Sequence, residues 1–333
     1  MSVPFIEWHA LGPVVQGTIA GIVAVLVVAT VAVRVLQWRR PERDWTELRQ
    51  RVNSWWIIAA VFLLAIVAPR GVSIAFFAFV SFLALKEYFS VIPTRRADRR
   101  VLFWAYLAIP VQFYWVAIEW YGMFIIFIPV FMFLLLPLRM VAIGQTEGYL
   151  RAVGSIHWGL MTMVFSLSHA AFLLILQLKD APDGDPLPGP GLVLYLVVLT
   201  QLNDVFQYLW GKSLGRRKIV PSVSPGKTWA GFLGGVATTT ALATLAGPHF
   251  TPMDYVQSLI AGLIIGVGGF VGDVSISALK RDLGIKDSGS LLPGHGGILD
   301  RIDSLTYTAP LFFHYIYWLI PFHTFGSSPS FLL

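Results

Sequence analysis

The sequence contains no cysteine. That excludes disulfides, thiolate metal sites and cysteine nucleophiles, and says nothing about compartment. Charge is scarce as well. Only 13% of the 333 residues are Asp, Glu, Lys or Arg, against 56% hydrophobic residues and a mean hydropathy of +0.71, outside the range of an ordinary soluble domain. No repeat of fixed period is present. No basic segment precedes the first apolar run, where Glu7 and His9 stand instead, and the run is longer than a signal-peptide core, so it reads as a retained membrane span.

What the sequence has in quantity is long apolar stretches. A hydrocarbon core about 30 Å thick needs about 20 residues of helix. Runs near 14–36, 55–69, 71–87, 101–120, 122–138, 153–178, 191–211, 229–248, 255–279 and 305–322 give an expected all-α, polytopic transmembrane bundle of about ten spans. Eight or nine are the alternatives, because the short second and third runs around Pro69-Arg70 also suit a re-entrant hairpin. The formal charge of +6 does not call for nucleic acid, since alternate loops collect the basic residues. Arg39 to Arg51, Arg95 to Arg100, Arg139 with Arg151, Lys212 to Lys227 and Lys280 to Arg301 fall on one side, and Arg70 with Lys179 on the other. The positive-inside rule makes the first side cytoplasmic. The external connector 179–190 is rich in Asp, Pro and Gly, as a solvated loop should be.

Ionisable residues inside a span cost a few kcal/mol and invite a functional explanation. Asp204 and Asp273 each precede the cytoplasmic end of their span by seven residues, roughly 10 Å at helical rise, so a shared polar cavity on the cytoplasmic side is expected. A structural ion pair is the plain alternative. Asp273, Ser277 and Lys280 share one helix face at i, i+4 and i+7. Gly266, Gly268, Gly269 and Gly272 precede that face, where close helix packing is their simplest role.

Two cytoplasmic loops carry the rest of the chemistry. In the first, Lys212, Arg216, Arg217, Lys218 and Lys227 accompany Ser222, Ser224 and Thr228 just before a helix, a combination suited to phosphate. The spacing is not that of a P-loop. A solvated basic loop accounts for Arg216 to Lys218 but not for Ser224-Pro225-Gly226-Lys227-Thr228. In the second, His295 lies in Pro-Gly-His-Gly-Gly, followed by Asp300, Arg301 and Asp303. Oxygen-only acids such as Asp273 and Asp300 suit Mg²⁺, whereas zinc lacks a set of ligands.

These residues resemble the phosphatidate cytidylyltransferases, or CDP-diacylglycerol synthases. Ser277 to Asp303 matches SxxKRxxxxKDxxxxxPxHGGxxDRxD at every fixed position, covering Ser277, Lys280, Arg281, Lys286, Asp287, Pro293, His295, Gly296, Gly297, Asp300, Arg301 and Asp303. A second block agrees, with Asp204, Tyr208, Gly211-Lys212, Gly215, Ser224-Pro225, Lys227-Thr228 and Gly231. The resemblance covers about Leu202 to Leu305, whereas the first 190 residues match only in being hydrophobic, so residues 1–190 are read as N-terminal helices and 191–333 as the catalytic membrane domain. The pattern is departed from in two places. Ile276 stands where many members have Glu, and Asn203 and Gln207 flank Asp204 where small residues are commoner.

The resemblance implies transfer of CMP from CTP to phosphatidic acid with Mg²⁺, in a multi-pass protein of the bacterial inner membrane whose site faces the cytoplasm. Asp273 and Asp300 would hold the metal, with a second cation left open. Asp204, Lys280 and Arg281 would join them in catalysis. Ser224, Lys227, Thr228, Ser277, Lys286, Asp287, His295, Gly296, Gly297, Arg301 and Asp303 would bind substrate, with His295 a turn or phosphate contact rather than a base. Another phosphorylated lipid as acceptor, or a non-catalytic lipid-binding or transport paralogue, are the alternatives. Oligomeric state, a homodimer included, stays open.

Overall fold

A computed structural model describes residues 11–95, 98–177, 188–289 and 296–320. His295, most of the connector 179–190 and the Glu7–His9 segment therefore lie outside the described residues. In chain order the helices are α1 (Pro13–Arg39), α2 (Thr46–Val67), α3 (Arg70–Val91), α4 (Arg99–Ala117), α5 (Tyr121–Ile126), α6 (Phe133–Val141), α7 (Tyr149–Gly159), α8 (Ser166–Ile175), α9 (Pro188–Leu214), α10 (Trp229–Phe250), α11 (Tyr255–Asp282), α12 (Leu299–Ile302) and α13 (Leu305–Leu319). Short π-helical stretches, Phe127–Met132 and Leu160–Phe165, join α5 to α6 and α7 to α8 without a break.

Counting those joined pairs as single spans, nine helices among the described residues are long and apolar enough to cross a bilayer. The protein is an all-α, polytopic integral membrane protein. α13, the expected tenth span, has 15 described residues. The second and third runs are full helices of 22 residues each rather than a short hairpin. They outrun their apolar stretches because a helix continues past the hydrocarbon into the interface, where Arg49, Arg51 and Lys86 are solvated while backbone hydrogen bonding persists.

Local chemistry starts the helices where the sequence permits. Thr228 caps α10 by accepting a hydrogen bond from the Gly231 amide at 3.1 Å. Asp254 and Gln257 form a capping box on α11, with reciprocal bonds of 2.8 and 2.9 Å. Pro110 and Pro137 sit inside α4 and α6, where each removes one backbone donor without ending the helix.

Burial separates the helices into centre and rim. In the Tyr149–Ile175 span 83% of the apolar window is buried, against 11% for α1. Every residue of α8 is buried, and α8 packs on α3, α4, α9 and α13, joining the N-terminal helices to the C-terminal ones. α9, α10 and α11 form the tightest group. Glycine permits that closeness: a Cβ at Gly262 would stand 2.6 Å from the Ala243 Cβ, and one at Gly266 3.2 Å from the Val236 Cα.

Candidate active site

Asn203 sets the rotation of α9. Its buried side chain donates to the Gly266 carbonyl of α11 at 3.1 Å and accepts from Thr239 of α10 at 3.1 Å, tying three helices at one level. Asp204, the next residue, then faces the start of α13, where the Ser304 hydroxyl sits 3.0 and 3.2 Å from its two carboxylate oxygens. One turn on, Gln207 accepts a 2.9 Å hydrogen bond from the Lys227 ammonium. The amides flanking Asp204 are thus a buried structural tie and a lysine contact.

The loop before α10 folds back on itself. Lys218 and Thr228 form an isolated antiparallel bridge, and the Ile219 amide donates to the Lys227 carbonyl at 3.2 Å. Ser224 gives its amide to Val220 at 2.9 Å and receives the Lys227 amide at 3.1 Å, so the Ser-Pro-Gly-Lys segment is a compact turn. Arg216, Arg217 and Lys218 are exposed, as a solvated basic face requires. Lys227 instead points inward and forms an ion pair with Asp273. Opposing charges that leave water must be paired to be tolerated, and these two satisfy one another.

α11 supplies both halves of the site from one face. The Ser277 hydroxyl donates to Asp273 at 3.3 Å, and Lys280 reaches forward to Asp300 at 2.6 Å. Arg281 turns away, donating to the Val223 carbonyl at 3.1 Å and to Ile285 at 3.3 Å, which fastens the basic loop to the end of α11. Gly272 brings the α12–α13 junction close: a Cβ there would lie 2.5 Å from the Asp303 carbonyl oxygen. Packing is therefore what Gly266, Gly268, Gly269 and Gly272 provide, each facing a neighbouring helix or its junction.

Asp300 lies in a cradle of donors. Its side chain, 8% exposed, accepts from Lys280, from the Ser288 amide at 3.2 Å and hydroxyl at 3.0 Å, and from the Gly297 amide at 3.1 Å. Burial alone would raise this carboxyl, but the hydrogen bond and charge of Lys280, with the two amides, hold it below its ordinary value. Gly296 has φ +80°, a left-handed conformation, with its backbone beside the Asp300 carboxylate. Asp303 is in the opposite condition. Burial, then the charges of Asp273 and Asp204, push its carboxyl well above the ordinary range. The Nε of Arg301 is buried without a hydrogen-bond partner among the described residues. Lys286 and Asp287 are exposed.

The expected metal carboxylates are thus held apart by separate lysines, Asp273 by Lys227 and Asp300 by Lys280. Among the described residues no three His, Asp or Glu side chains are already gathered into a metal-sized cluster. Asp204 and Asp273 both act electrostatically on Asp303, and carboxylate oxygens are the donor type a hard cation takes. A cavity of about 360 Å³ lined by Arg100, Val101, Arg139, Ala142 and Ile143 contains none of these groups.

One residue was invisible to motif reading. Glu87, near the end of α3, accepts the Ser288 hydroxyl at 2.6 Å and the Ile298 and Leu299 amides at 2.8 and 3.1 Å. Its sole signal in the sequence is a carboxylate next to Lys86 at the end of an apolar run, which a solvated helix end explains equally well.

The chain is similar to several known proteins. The model of the cytidylyltransferase family matches residues 49–319. A protein of Escherichia coli K12, described as uncharacterized protein YnbB, is 47% identical over 301 residues, covering 90% of this chain and 98% of its own. Phosphatidate cytidylyltransferases of Haemophilus influenzae and Bacillus subtilis are 42% and 43% identical over 142 and 129 residues, 41% and 38% of this chain. Those matches span about half of each enzyme, 49% and 46%. A match of the family model across most of the helices, together with motif residues gathered at one end of the bundle, shows that the chain belongs to the cytidylyltransferase family.

Proposed function

We propose that this protein transfers CMP from CTP to phosphatidic acid, giving CDP-diacylglycerol and pyrophosphate, at a site facing the cytoplasm of a bacterial inner membrane. The observation that carries the reading is the pair of shielded lysine–aspartate contacts, Lys227 with Asp273 and Lys280 with Asp300, built from the two motif segments. The side chains of Lys227 and Lys280 are only 17% and 14% exposed, so each ammonium is largely desolvated and can exchange a carboxylate for a phosphate oxygen. The relatives named phosphatidate cytidylyltransferases support the chemistry, and the nine membrane helices suit a substrate whose acyl chains stay in the bilayer.

In this reaction a phosphate oxygen of phosphatidic acid forms a bond to the α-phosphorus of CTP while the bond from that phosphorus to the bridging oxygen of pyrophosphate breaks. A phosphate monoester is already largely anionic at neutral pH, so the protein needs to position it more than deprotonate it. Lys227, Lys280 and Arg301 orient the phosphates, Ser277 steadies Asp273, and Ser224 with Thr228 shape the turn that presents Lys227. Mg²⁺, when bound, would neutralise charge on the phosphates. Asp273 would hold it; Asp300 is free to join only when Lys280 leaves it for phosphate.

A second reading keeps the chemistry and changes the acceptor to another lipid phosphate. The match to the Haemophilus influenzae enzyme covers 142 residues, and the Escherichia coli relative, which covers 90% of this chain, carries no named activity. The test is Mg²⁺-dependent formation of a CDP-lipid and pyrophosphate by purified protein given CTP and phosphatidic acid. Product with a different lipid phosphate alone supports the second reading, and no product with any lipid phosphate from folded protein sinks both.

A further inference from the structure

Ser288 lies six residues beyond the end of α11, and Leu299 begins α12. Fully extended, such a length of chain could hold its ends roughly 35 Å apart. Both ends instead meet one carboxylate. Glu87 accepts the Ser288 hydroxyl with Oε1 at 2.6 Å, the Ile298 amide with Oε2 at 2.8 Å and the Leu299 amide with Oε1 at 3.1 Å. Glu87 precedes Ser288 by 201 residues and belongs to the N-terminal helices, outside the two blocks that carry the motifs. Two glycines make the approach possible: Gly289 would place a Cβ 3.1 Å from the Glu87 carboxyl carbon, and a Cβ on Gly297 would overlap it.

The contact reaches the chemistry through Ser288. Its hydroxyl stands 2.6 Å from Glu87 and 3.0 Å from Asp300. A hydroxyl carries one proton and can donate to only one acceptor at a time. Glu87 and Asp300 therefore share Ser288, and both hold amides of the same short stretch: Gly297 bonds to Asp300, Ile298 and Leu299 to Glu87. Three groups, the Ser288 hydroxyl and the Ile298 and Leu299 amides, would lose the Glu87 carboxylate if it withdrew. Hydrogen-bonded partners of a reacting group fix its orientation as firmly as its own backbone does.

We propose that Glu87 is a positioning residue for nucleotidyl transfer: α3 sets the place of α12, and with it the Asp300–Lys280 pair, by closing the signature segment on one carboxylate. This rests on the cytidylyl-transfer reading above. It gives the N-terminal helices a part in the reaction, and it takes the form of a geometric constraint rather than contact with substrate.

The test compares Glu87→Gln, Glu87→Ala and Ser288→Ala with the parent protein, purified in detergent and checked for folding by gel filtration. Glutamine keeps Oε1 for Ser288 and Leu299 but turns an NH₂ toward the Ile298 amide, whereas alanine removes every contact. Hydrogen–deuterium exchange of peptides covering 296–302 should quicken in the order parent, Gln, Ala, with exchange in α8 unchanged. The KM for CTP should rise about tenfold in Glu87→Gln and further in Glu87→Ala, as is usual when a group behind a reacting residue is lost. Ser288→Ala should show part of the KM effect. A folded Glu87→Ala protein with parental exchange and kinetics overturns the proposal. Lower folded yield with unchanged KM and kcat per folded molecule also overturns it, because that is a purely structural staple. If the alanine variant does not fold, the glutamine and Ser288 variants decide the matter. A parent protein that transfers CMP to no lipid phosphate overturns the functional reading instead, and the exchange experiment still reads the clamp by itself.

Discussion

Lys227, the last basic residue before α10, forms its ion pair with Asp273 in the C-terminal third of α11, and the same ammonium donates to Gln207 of α9 at 2.9 Å. One cation, carried just before α10, therefore joins α9 to α11. Lys280 does the same for α11 and α12 through Asp300. Each lysine proposed to bind phosphate thus rests on a carboxylate proposed to hold the cation, and substrate with its metal would separate the two partners together.

Asp273→Asn and Asp300→Asn should each lower CDP-lipid formation by at least about a hundredfold, the usual scale when a charge aimed at the reacting phosphates is lost. Pyrophosphate release by folded protein is the measurement. Near-parental rates in both variants would show that neither acid is part of the metal site.

Asn203→Ala should act on stability. The substitution leaves the buried Gly266 carbonyl and the Thr239 hydroxyl without their partner, at a cost of about 2 kcal/mol. Thermal unfolding in detergent should shift down by several degrees, with residual activity per folded molecule affected much less than in Asp273→Asn.

Ile276→Glu restores the residue common at this position but should not restore function. Ile276 is 1% exposed within the hydrophobic core. Burying a carboxylate there costs several kcal/mol unless it takes up a proton or meets a cation. The expected result is reduced folded yield; a clear gain in turnover would show that a compensating cation reaches this face.

Gly272→Ala should separate α11 from the α12–α13 junction. The added methyl would lie 2.5 Å from the Asp303 carbonyl oxygen and 3.0 Å from the Ser304 Cα, both backbone atoms that cannot rotate away. Loss of activity should accompany loss of stability, since Ser304 holds Asp204 across the same junction. Gly284→Ala, at φ +69° with open space around it, serves as the contrast: its strain is local and should leave the Asp204–Ser304 contact in place.

Most of the membrane architecture was legible in the hydropathy pattern, because the bilayer demands long uninterrupted apolar helices and puts the basic residues on one side. The ends of α2 and α3 were not, since a helix does not stop where its hydrophobicity stops. The motif residues were legible one by one, but their partners were not. Asp273 and Asp300 read as a pair from sequence, whereas each meets a different lysine, and the charge that presses on Asp303 comes from Asp204 and Asp273. His295 lies outside the described residues, so its expected turn or phosphate contact adds nothing to this geometry.

The sequence by itself determined an integral membrane protein, its family and the chemical types available for catalysis, because composition, periodicity and a long polar signature are local properties of the chain. Tertiary structure alone decided which charge neutralises which, and that Glu87 of α3 holds the signature segment from more than 200 residues away. Hydrogen bonds and ion pairs act over a few ångströms of space and are indifferent to distance along the chain, so a carboxylate with no motif around it acquires its role only when the helices pack.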